Sequence, residues 1–162
     1  MTPAIKLAEK NRIAHRVHEY EHDPKALSYG AEAAEKMAVA QQQVFKTLVV
    51  SLDNAVLLVA VLPVCAMLNM KLLAKAVGAK KAVMADRAVV ERSTGYVLGG
   101  VSPLGQKKKL KTVIDTSALE FSTIYVSAGR RGLEIELQAE DLIKLTSAIT
   151  ANLCQPSTCA MD

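Results

Sequence analysis

The glycine-rich run STGYVLGGVSPLGQ at residues 93–106 is the strongest sign of a binding or catalytic site in this sequence. Four of the chain's eight glycines lie in it, at positions 95, 99, 100 and 105, and Lys107, Lys108, Lys109 and Lys111 follow directly. Glycine lets another molecule approach the backbone amides closely. Amides flanked by ammonium groups favour an anion, so the pattern predicts a phosphate contact. The alternative is that the lysines form an ordinary solvated face.

Two other cationic positions could belong to the same site. Arg130 and Arg131 lie between two glycines, where a hairpin turn explains them, although two guanidinium groups there can also bind a phosphate in bidentate fashion. Lys46 precedes an apolar strand predicted over residues 47–52. A lysine at that place is usually an edge residue with its charge in water, and it gains importance only if it points into a cleft.

Several common catalytic chemistries lack their residues. His15, His18 and His22 are the only histidines, and no cysteine or second histidine cluster completes a set of metal ligands around them. No serine stands in a G-x-S-x-G elbow, and the glycine spacings match neither a Walker loop nor a dinucleotide fingerprint. The sequence therefore favours a site that uses neither a metal nor an organic cofactor.

Composition indicates a single globular domain with modest affinity for nucleic acid. The chain has 162 residues, 51% of them hydrophobic, and a net charge of +4. A charge this small means that any affinity for nucleic acid must come from local clusters of lysine and arginine. There is no Trp and only 4% of the residues are aromatic, which argues against a stacking platform for single strands.

Cysteine usage and hydropathy predict a protein of the cytoplasm. Three cysteines at uneven spacing do not make a disulfide framework. We expect Cys65 to be a buried thiol in an apolar run, and Cys154 and Cys159 to lie in a polar tail open to oxidation in vitro. The beginning of the sequence lacks the apolar core of a signal peptide. The longest apolar run, residues 55–68, is too short to span a bilayer and contains Pro63.

Helical and strand patterns alternate along the whole chain. The patterns predict helices at 3–11, 31–39, 69–78, 86–95 and 139–149, and strands at 14–20, 47–52, 55–62, 82–85, 111–114, 123–127 and 133–137. We expect Thr2, Asn69 and Asp86 to cap the first, third and fourth helices, and the fourth helix to end near Gly95. The second and third strands read as a hairpin buried on both faces. Because hairpins and crossovers both occur, we expect a mixed sheet with helices around it.

Several segments resemble the YbaK family of free-standing deacylases, which are related to the editing domain inserted in bacterial prolyl-tRNA synthetase. They are TPAI at 2–5, YEHD at 20–23, FKTLVV at 45–50, MAD at 84–86, STGYVLGGVSPLGQKK at 93–108 and IYVSAGRRGL at 124–133. The resemblance runs in order from Thr2 to about Leu145. It implies an α/β fold with a mixed, barrel-like sheet surrounded by helices. We therefore predict one aminoacyl-tRNA deacylase domain at 1–153 and a flexible tail at 154–162.

The resemblance also implies an activity, partners and site residues. The activity is hydrolysis of Cys-tRNA(Pro) beside prolyl-tRNA synthetase, by attack of the substrate cysteine's own thiol on its ester. The partners are tRNA(Pro) and the synthetase, without DNA, a membrane or a cofactor. Catalytic roles fall on Lys46, Gly99 and Gly100. Pocket roles fall on Tyr20, Tyr29, Thr47, Ser127 and Glu134, beside the proposed phosphate contacts at Lys107, Lys108, Lys109, Arg130 and Arg131.

Three positions depart from the usual family pattern and leave alternatives open. Glu134 stands where relatives carry aspartate, Tyr29 where phenylalanine is usual, and Ala128 where glycine is usual. The longer side chain of Glu134 leaves the role of its carboxylate open. Tyr29 and Ala128 could alter the pocket volume, so a sibling deacylase that prefers alanine or another small amino acid is the first alternative. A non-catalytic tRNA-binding module that has kept the fold is the second.

Overall fold

The computed structural model describes residues 1–26, 28–156 and 159. The helices within this part of the chain are α1 (Pro3–Lys10), α2 (Tyr29–Met37), α3 (Met70–Ala76), α4 (Arg87–Thr94) and α5 (Ala139–Thr146). The strands are β1 (His15–Glu19), β2 (Phe45–Leu52), β3 (Val56–Pro63), β4 (Ala82–Met84), β5 (Lys111–Asp115), β6 (Ile124–Arg130), β7 (Leu133–Leu137) and β8 (Ile149–Ala151). No helix in these ranges is long and apolar enough to cross a bilayer.

The strands form two sheets that together confirm a mixed α/β fold. A five-stranded sheet has the order β4-β2-β3-β5-β8, in which β5 lies parallel to both of its neighbours and the other pairs are antiparallel. A three-stranded antiparallel sheet has the order β1-β7-β6. An isolated bridge between Val44 and Tyr125 links the two sheets. The fold is thus two sheets with one bridge, where the sequence predicted a single barrel-like sheet.

The β2–β3 hairpin is buried on both faces, as predicted, because apolar residues occupy both alternating sets of positions. One set packs into a core with the three-stranded sheet, α1 and α5, and it comprises Phe45, Val49, Val59 and Val61. The other set packs against α3 and Leu153, and it comprises Val50, Leu52, Leu58 and Ala60. This arrangement leaves the start of β2 facing the smaller sheet.

Local signals for helix ends are mostly confirmed. The Thr2 hydroxyl caps α1, and the Asn69 side chain accepts hydrogen bonds from two backbone amides of α3. Gly95 ends α4 in the left-handed conformation. Asp86 occupies the N-cap position of α4 as predicted, but its side chain makes no capping hydrogen bond. The last helix ends at Thr146, three residues before the predicted end, because the chain turns there and β8 pairs with β5.

The cysteines differ from the prediction. Cys65 is not a free thiol but forms a disulfide with Cys159, at a sequence separation of 94 residues. Local sequence patterns carry no information about a pairing over that distance. Residues 154 and 155 also pair with the segment after Cys65: Cys154 forms a backbone β-bridge with Leu68, and the Gln155 amide donates to the Met67 carbonyl.

Candidate active site

Most of the predicted site residues surround one cavity of about 470 Å³. The lining residues come from the start of α2, the start of β2, the glycine-rich loop and the β6–β7 hairpin. Those predicted from the sequence are Tyr20, Tyr29, Lys46, Thr47, Gly99, Ser127, Arg130, Arg131 and Glu134. Apolar wall residues that sequence reasoning did not single out are Phe45, Leu48, Val64, Met84, Leu98 and Val101.

Lys46 lines the cavity with its ammonium group anchored. Its Nζ donates a 2.6 Å hydrogen bond to the Ala66 carbonyl. The side chain is half-buried, and burial lowers the pKa of Lys46. β2 pairs with β4 only from Val50 to Leu52, so Lys46 lies at an unpaired edge on that side, as expected. Lys46 thus contributes to the cavity wall, while its ammonium group is bonded to the carbonyl of Ala66, a residue outside the lining.

Glu134 is a buried acid without a counter-charge. It is 7% exposed, and its carboxyl group makes no hydrogen bond or ion pair within the described ranges. Burial raises the pKa of Glu134 to about 8. Burial and the nearby Glu134 carboxylate in turn raise the pKa of Tyr20 to about 12. Both groups are therefore mainly protonated at neutral pH and can donate hydrogen bonds to a ligand.

Two hydroxyl groups in the cavity differ in their availability. Thr47 Oγ1 is buried and has no hydrogen-bond partner among the described residues. A buried polar atom without a partner is costly, and a bound ligand can supply the missing hydrogen bond. Ser127 Oγ accepts a 3.2 Å hydrogen bond from the Gly129 amide, at the bulge where β6 shifts register against β7.

The two adjacent glycines of the loop have different surroundings. Gly99 lines the cavity with φ +93°, and its amide has no acceptor in the described part of the chain. Gly100 lies outside the lining, and its amide donates to the Val97 carbonyl. A Cβ atom at Gly100 would lie 2.8 Å from the Arg130 Cα atom, so this glycine permits a close backbone approach. Only Gly99 can offer its amide to a ligand.

The lysine run does not share this cavity. Lys107 and Lys108 donate their backbone amides to the carbonyl groups of residues 94 and 93. Lys108 and Lys109 line a second cavity of about 270 Å³, and Lys109 Nζ lies 3.3 Å from Ser147 Oγ. The sequence predicted that the glycines and lysines meet one anion. The structure divides the glycines: Gly99 lines the first cavity, whereas Gly105 lines the second with Lys108 and Lys109, and a Cβ atom at Gly105 would lie 2.6 Å from the Pro3 backbone.

The three histidines point to three different partners. His15 Nδ1 lies 2.7 Å from the Ile13 carbonyl, and His18 Nε2 lies 2.9 Å from Glu136 Oε1. His22 Nδ1 lies 2.7 Å from Glu32 Oε1. No group of three metal-ligating side chains occurs within residues 1–26, 28–156 and 159.

Comparison with known proteins shows the family. Residues 23–145 match the family model described as "Aminoacyl-tRNA editing domain". The chain is 36% identical over 152 residues to a protein of Enterococcus faecalis named "Putative Cys-tRNA(Pro)/Cys-tRNA(Cys) deacylase EbsC", covering 94% of this chain and 92% of that one.

Solved structures share the fold. One is named "Crystal structure of a putative trans-editing enzyme for prolyl tRNA synthetase", with a TM-score of 0.81, 21% identity, and 94% and 92% of the two chains covered. Another, of a hypothetical protein, has a TM-score of 0.84, 24% identity, and 94% and 99% coverage. The resemblance to the YbaK family is confirmed: the chain belongs to the aminoacyl-tRNA editing domain family and is a hydrolase of aminoacyl-tRNA ester bonds.

Proposed function

We propose that this protein hydrolyses cysteine from mischarged proline tRNA in the cytoplasm, in trans to prolyl-tRNA synthetase. The name of the Enterococcus faecalis relative, which includes Cys-tRNA(Pro) and Cys-tRNA(Cys), supports the substrate. The need is physical: cysteine and proline have similar volumes, so a synthetase pocket cannot reject cysteine well by packing. One solved structure with the same fold is named as a trans-editing enzyme for prolyl-tRNA synthetase, which supports the synthetase as the partner system.

The proposed mechanism rests on one observation: the described residues that line the cavity include no nucleophilic side chain paired with a general base. Neither histidine nor cysteine occurs among the described residues that line it. The Ser28 hydroxyl caps α2, and the Ser127 hydroxyl accepts from a backbone amide. Glu134, with a pKa of about 8, is mainly protonated at neutral pH, so the carboxylate form that could act as a base is the minor one there. The chain thus favours a reaction in which the substrate supplies the nucleophile.

The proposed reaction is attack by the substrate's own thiol. The cysteine sulfur forms a bond to the ester carbonyl carbon, the carbon–oxygen ester bond breaks, and the thiol proton ends on the released tRNA hydroxyl. The resulting thiolactone is then hydrolysed by water. The protein contributes positioning and stabilisation of the developing oxyanion. The Gly99 amide is the donor that we assign to that oxyanion, because the Gly100 amide already donates to the Val97 carbonyl.

The size of the cavity supports a ligand larger than an amino acid. A volume of about 470 Å³ falls in the range of about 300–1,000 Å³ typical of small-molecule sites. We propose that the aminoacyl group occupies the part lined by Thr47, Ser127 and Glu134. Tyr20 and Tyr29 would flank the terminal nucleoside, and Lys46 would lie beside the acceptor end.

The test compares tRNA(Pro) charged with cysteine, serine or alanine. Serine differs from cysteine by one atom, so fit alone should separate the two rates by about tenfold. Because a thiol is far more nucleophilic than a hydroxyl, we expect cysteine to be removed more than a hundredfold faster than serine. Similar rates on the two would contradict substrate assistance and indicate an activated water. Faster removal of alanine than of cysteine would instead support the alanine-preferring alternative, which Tyr29 and Ala128 motivate.

A further inference from the structure

Two neighbouring arginines in the β6–β7 hairpin have different partners. Both line the cavity, but Arg130 Nη2 lies 3.4 Å from Glu19 Oε1, so an acidic partner offsets its charge. Arg131 makes no ion pair within the described ranges, although it lines the cavity and is exposed to solvent. A cation at the mouth of a cavity without an acidic partner is available to an anionic ligand.

The guanidinium group of Arg131 is held in place by its surroundings. Its Cζ atom lies 3.6 Å from the centroid of the Tyr29 ring, which is a cation–π contact. On another side it lies against Gly99, where a Cβ atom would come within 2.6 Å of its Nε and 2.8 Å of its Nη2. A planar guanidinium that rests on a ring still has N–H donors at its edge. The absence of a side chain at Gly99 therefore makes room for this orientation.

The Tyr29 ring is itself supported from behind. The rings of His22 and Tyr29 meet edge to face, with centroids 5.8 Å apart. His22 Nδ1 lies 2.7 Å from Oε1 of the buried Glu32, whose Oε2 accepts a 2.8 Å hydrogen bond from the Asp23 amide. Burial alone would raise the pKa of Glu32, but the hydrogen bonds from His22 and Asp23 lower it. Glu32 is therefore ionised at neutral pH and anchors His22.

The first turn of α2 adds a second feature that favours an anion. Ser28, Tyr29 and Gly30 line the same cavity, and α2 continues for nine residues from Tyr29. The amides at a helix N-terminus carry a partial positive charge. The Arg131 edge and this helix end thus both face the cavity that we assign to the terminal nucleoside of the substrate.

We propose that Arg131 binds the phosphate on the 5′ side of the terminal nucleoside of the aminoacyl-tRNA, and that Glu32, His22 and Tyr29 form a relay that positions it. This inference rests on the proposed function, because the anion is the substrate's own phosphodiester. It assigns the phosphate contact to one arginine of the pair: Arg131 contacts the substrate, whereas Arg130 forms an ion pair with Glu19. Tyr29 carries the guanidinium, and Glu32 and His22 act only through Tyr29.

The test measures the benefit of a single phosphate. Two small substrates are compared, both with cysteine esterified to a ribose hydroxyl: cysteinyl adenosine, and the same ester of adenosine 5′-phosphate. Their kcat/KM values are measured in the wild type, in Arg131→Gln and in Arg130→Gln. Since a charge-assisted hydrogen bond is about twice as strong as a neutral one, we expect the wild type to prefer the phosphorylated ester by roughly 30-fold. Arg131→Gln should reduce the preference to about threefold or less, and Arg130→Gln, the matched control, should keep it.

The outcomes separate the inference from the function on which it rests. If the wild type cleaves both esters equally, or if Arg131→Gln keeps the preference, the phosphate contact is refuted while the deacylase activity stands. If Arg130→Gln loses as much as Arg131→Gln, the assignment to a single arginine is wrong. If the wild type cleaves neither ester nor Cys-tRNA(Pro), the proposed function fails and the inference fails with it.

The relay is tested by its effect on the same preference. Tyr29→Phe keeps the ring and should keep the preference, whereas Tyr29→Leu removes the cation–π contact and should reduce it by about two- to tenfold. His22→Ala should raise KM for the phosphorylated ester alone and leave kcat unchanged, and His22→Gln should restore part of the loss. An equal rise in KM for both esters would show that His22 supports the fold and not Arg131.

Discussion

Replacing Glu134 by glutamine should change how the stability of the protein depends on pH. Burial raises the pKa of this carboxyl group from 4.5 to about 8 in the folded protein. The folded protein therefore holds the proton more tightly than the unfolded chain, and the free energy of unfolding must fall as the pH rises through this window. Glutamine has nearly the same shape and does not ionise, so Glu134→Gln removes this dependence.

The magnitude follows from the two pKa values. At about 1.4 kcal/mol for each pH unit, the window from 4.5 to about 8 corresponds to at most about 5 kcal/mol. Between pH 5 and pH 8 the wild type should lose about 3.5 kcal/mol through Glu134 alone. The variant should therefore gain about that much over the wild type across this interval.

The assay is urea unfolding at pH 5, 6, 7 and 8, with Glu91→Gln as the matched control. A hydrogen bond from the Leu98 amide lowers the pKa of Glu91, with a smaller opposing effect of burial. Its contribution to stability is therefore complete above pH 4.5 and is lost only in more acidic solution. Glu91→Gln should shift the curve by a constant amount between pH 5 and 8. Parallel curves for the wild type and Glu134→Gln would refute the uncompensated burial of Glu134.

Three further predictions concern activity. Lys46→Ala should abolish most deacylation, and it should lower the free energy of unfolding by about 1–3 kcal/mol because a buried carbonyl loses its donor. Lys46→Arg should restore little of the activity. Near-wild-type turnover of the alanine variant would refute the role of the lysine. Changing Lys107, Lys108 and Lys109 together to alanine should weaken tRNA binding and leave turnover at saturating substrate unchanged. The slope of the logarithm of the binding constant against the logarithm of the salt concentration should fall by about 0.7–0.9 for each phosphate that the protein no longer neutralises. An unchanged slope would show that these lysines form a solvated face. Cys65→Ser removes the disulfide and should lower the midpoint of thermal unfolding while leaving turnover intact. Cys154→Ala should also be active, since burial and a nearby carboxylate raise the pKa of that thiol to about 12. Inactivation by either cysteine change would indicate a protein thiol in the reaction.

Elements governed by local rules could be predicted from the sequence. The Thr2 and Asn69 caps and the Gly95 helix end each depend on a few neighbouring residues, so their patterns are sufficient. The β2–β3 hairpin follows from two β-branched runs around a tight turn. β8 is different, because three residues paired in parallel with a distant strand leave no periodicity to detect. For the same reason the sequence does not reveal that the strands divide into two sheets.

The candidate site likewise combines residues that sequence motifs identify with contacts that depend on the packing of the whole fold. The family motifs identify Lys46, Thr47 and Gly99, and all three line the cavity. Sequence neighbours that looked equivalent are not: Gly100 lies outside the lining, and the lysine run lines a different cavity. The contact of Arg131 with Tyr29 joins two segments that are far apart in the chain, so it depends on the packing of the whole fold.

The pairing of β1 with β7 has a consequence for how the protein is made. Each of the five residues from His15 to Glu19 pairs with a residue between Leu133 and Leu137. During synthesis β1 therefore stays an unpaired edge until residues 133–137 have left the ribosome. Glu134 is paired with His18 in this register and Tyr20 directly follows β1, so these two cavity residues come together only at that moment. A nascent chain that ends before β7 cannot contain the cavity, so editing by this protein begins only after β7 has been synthesised.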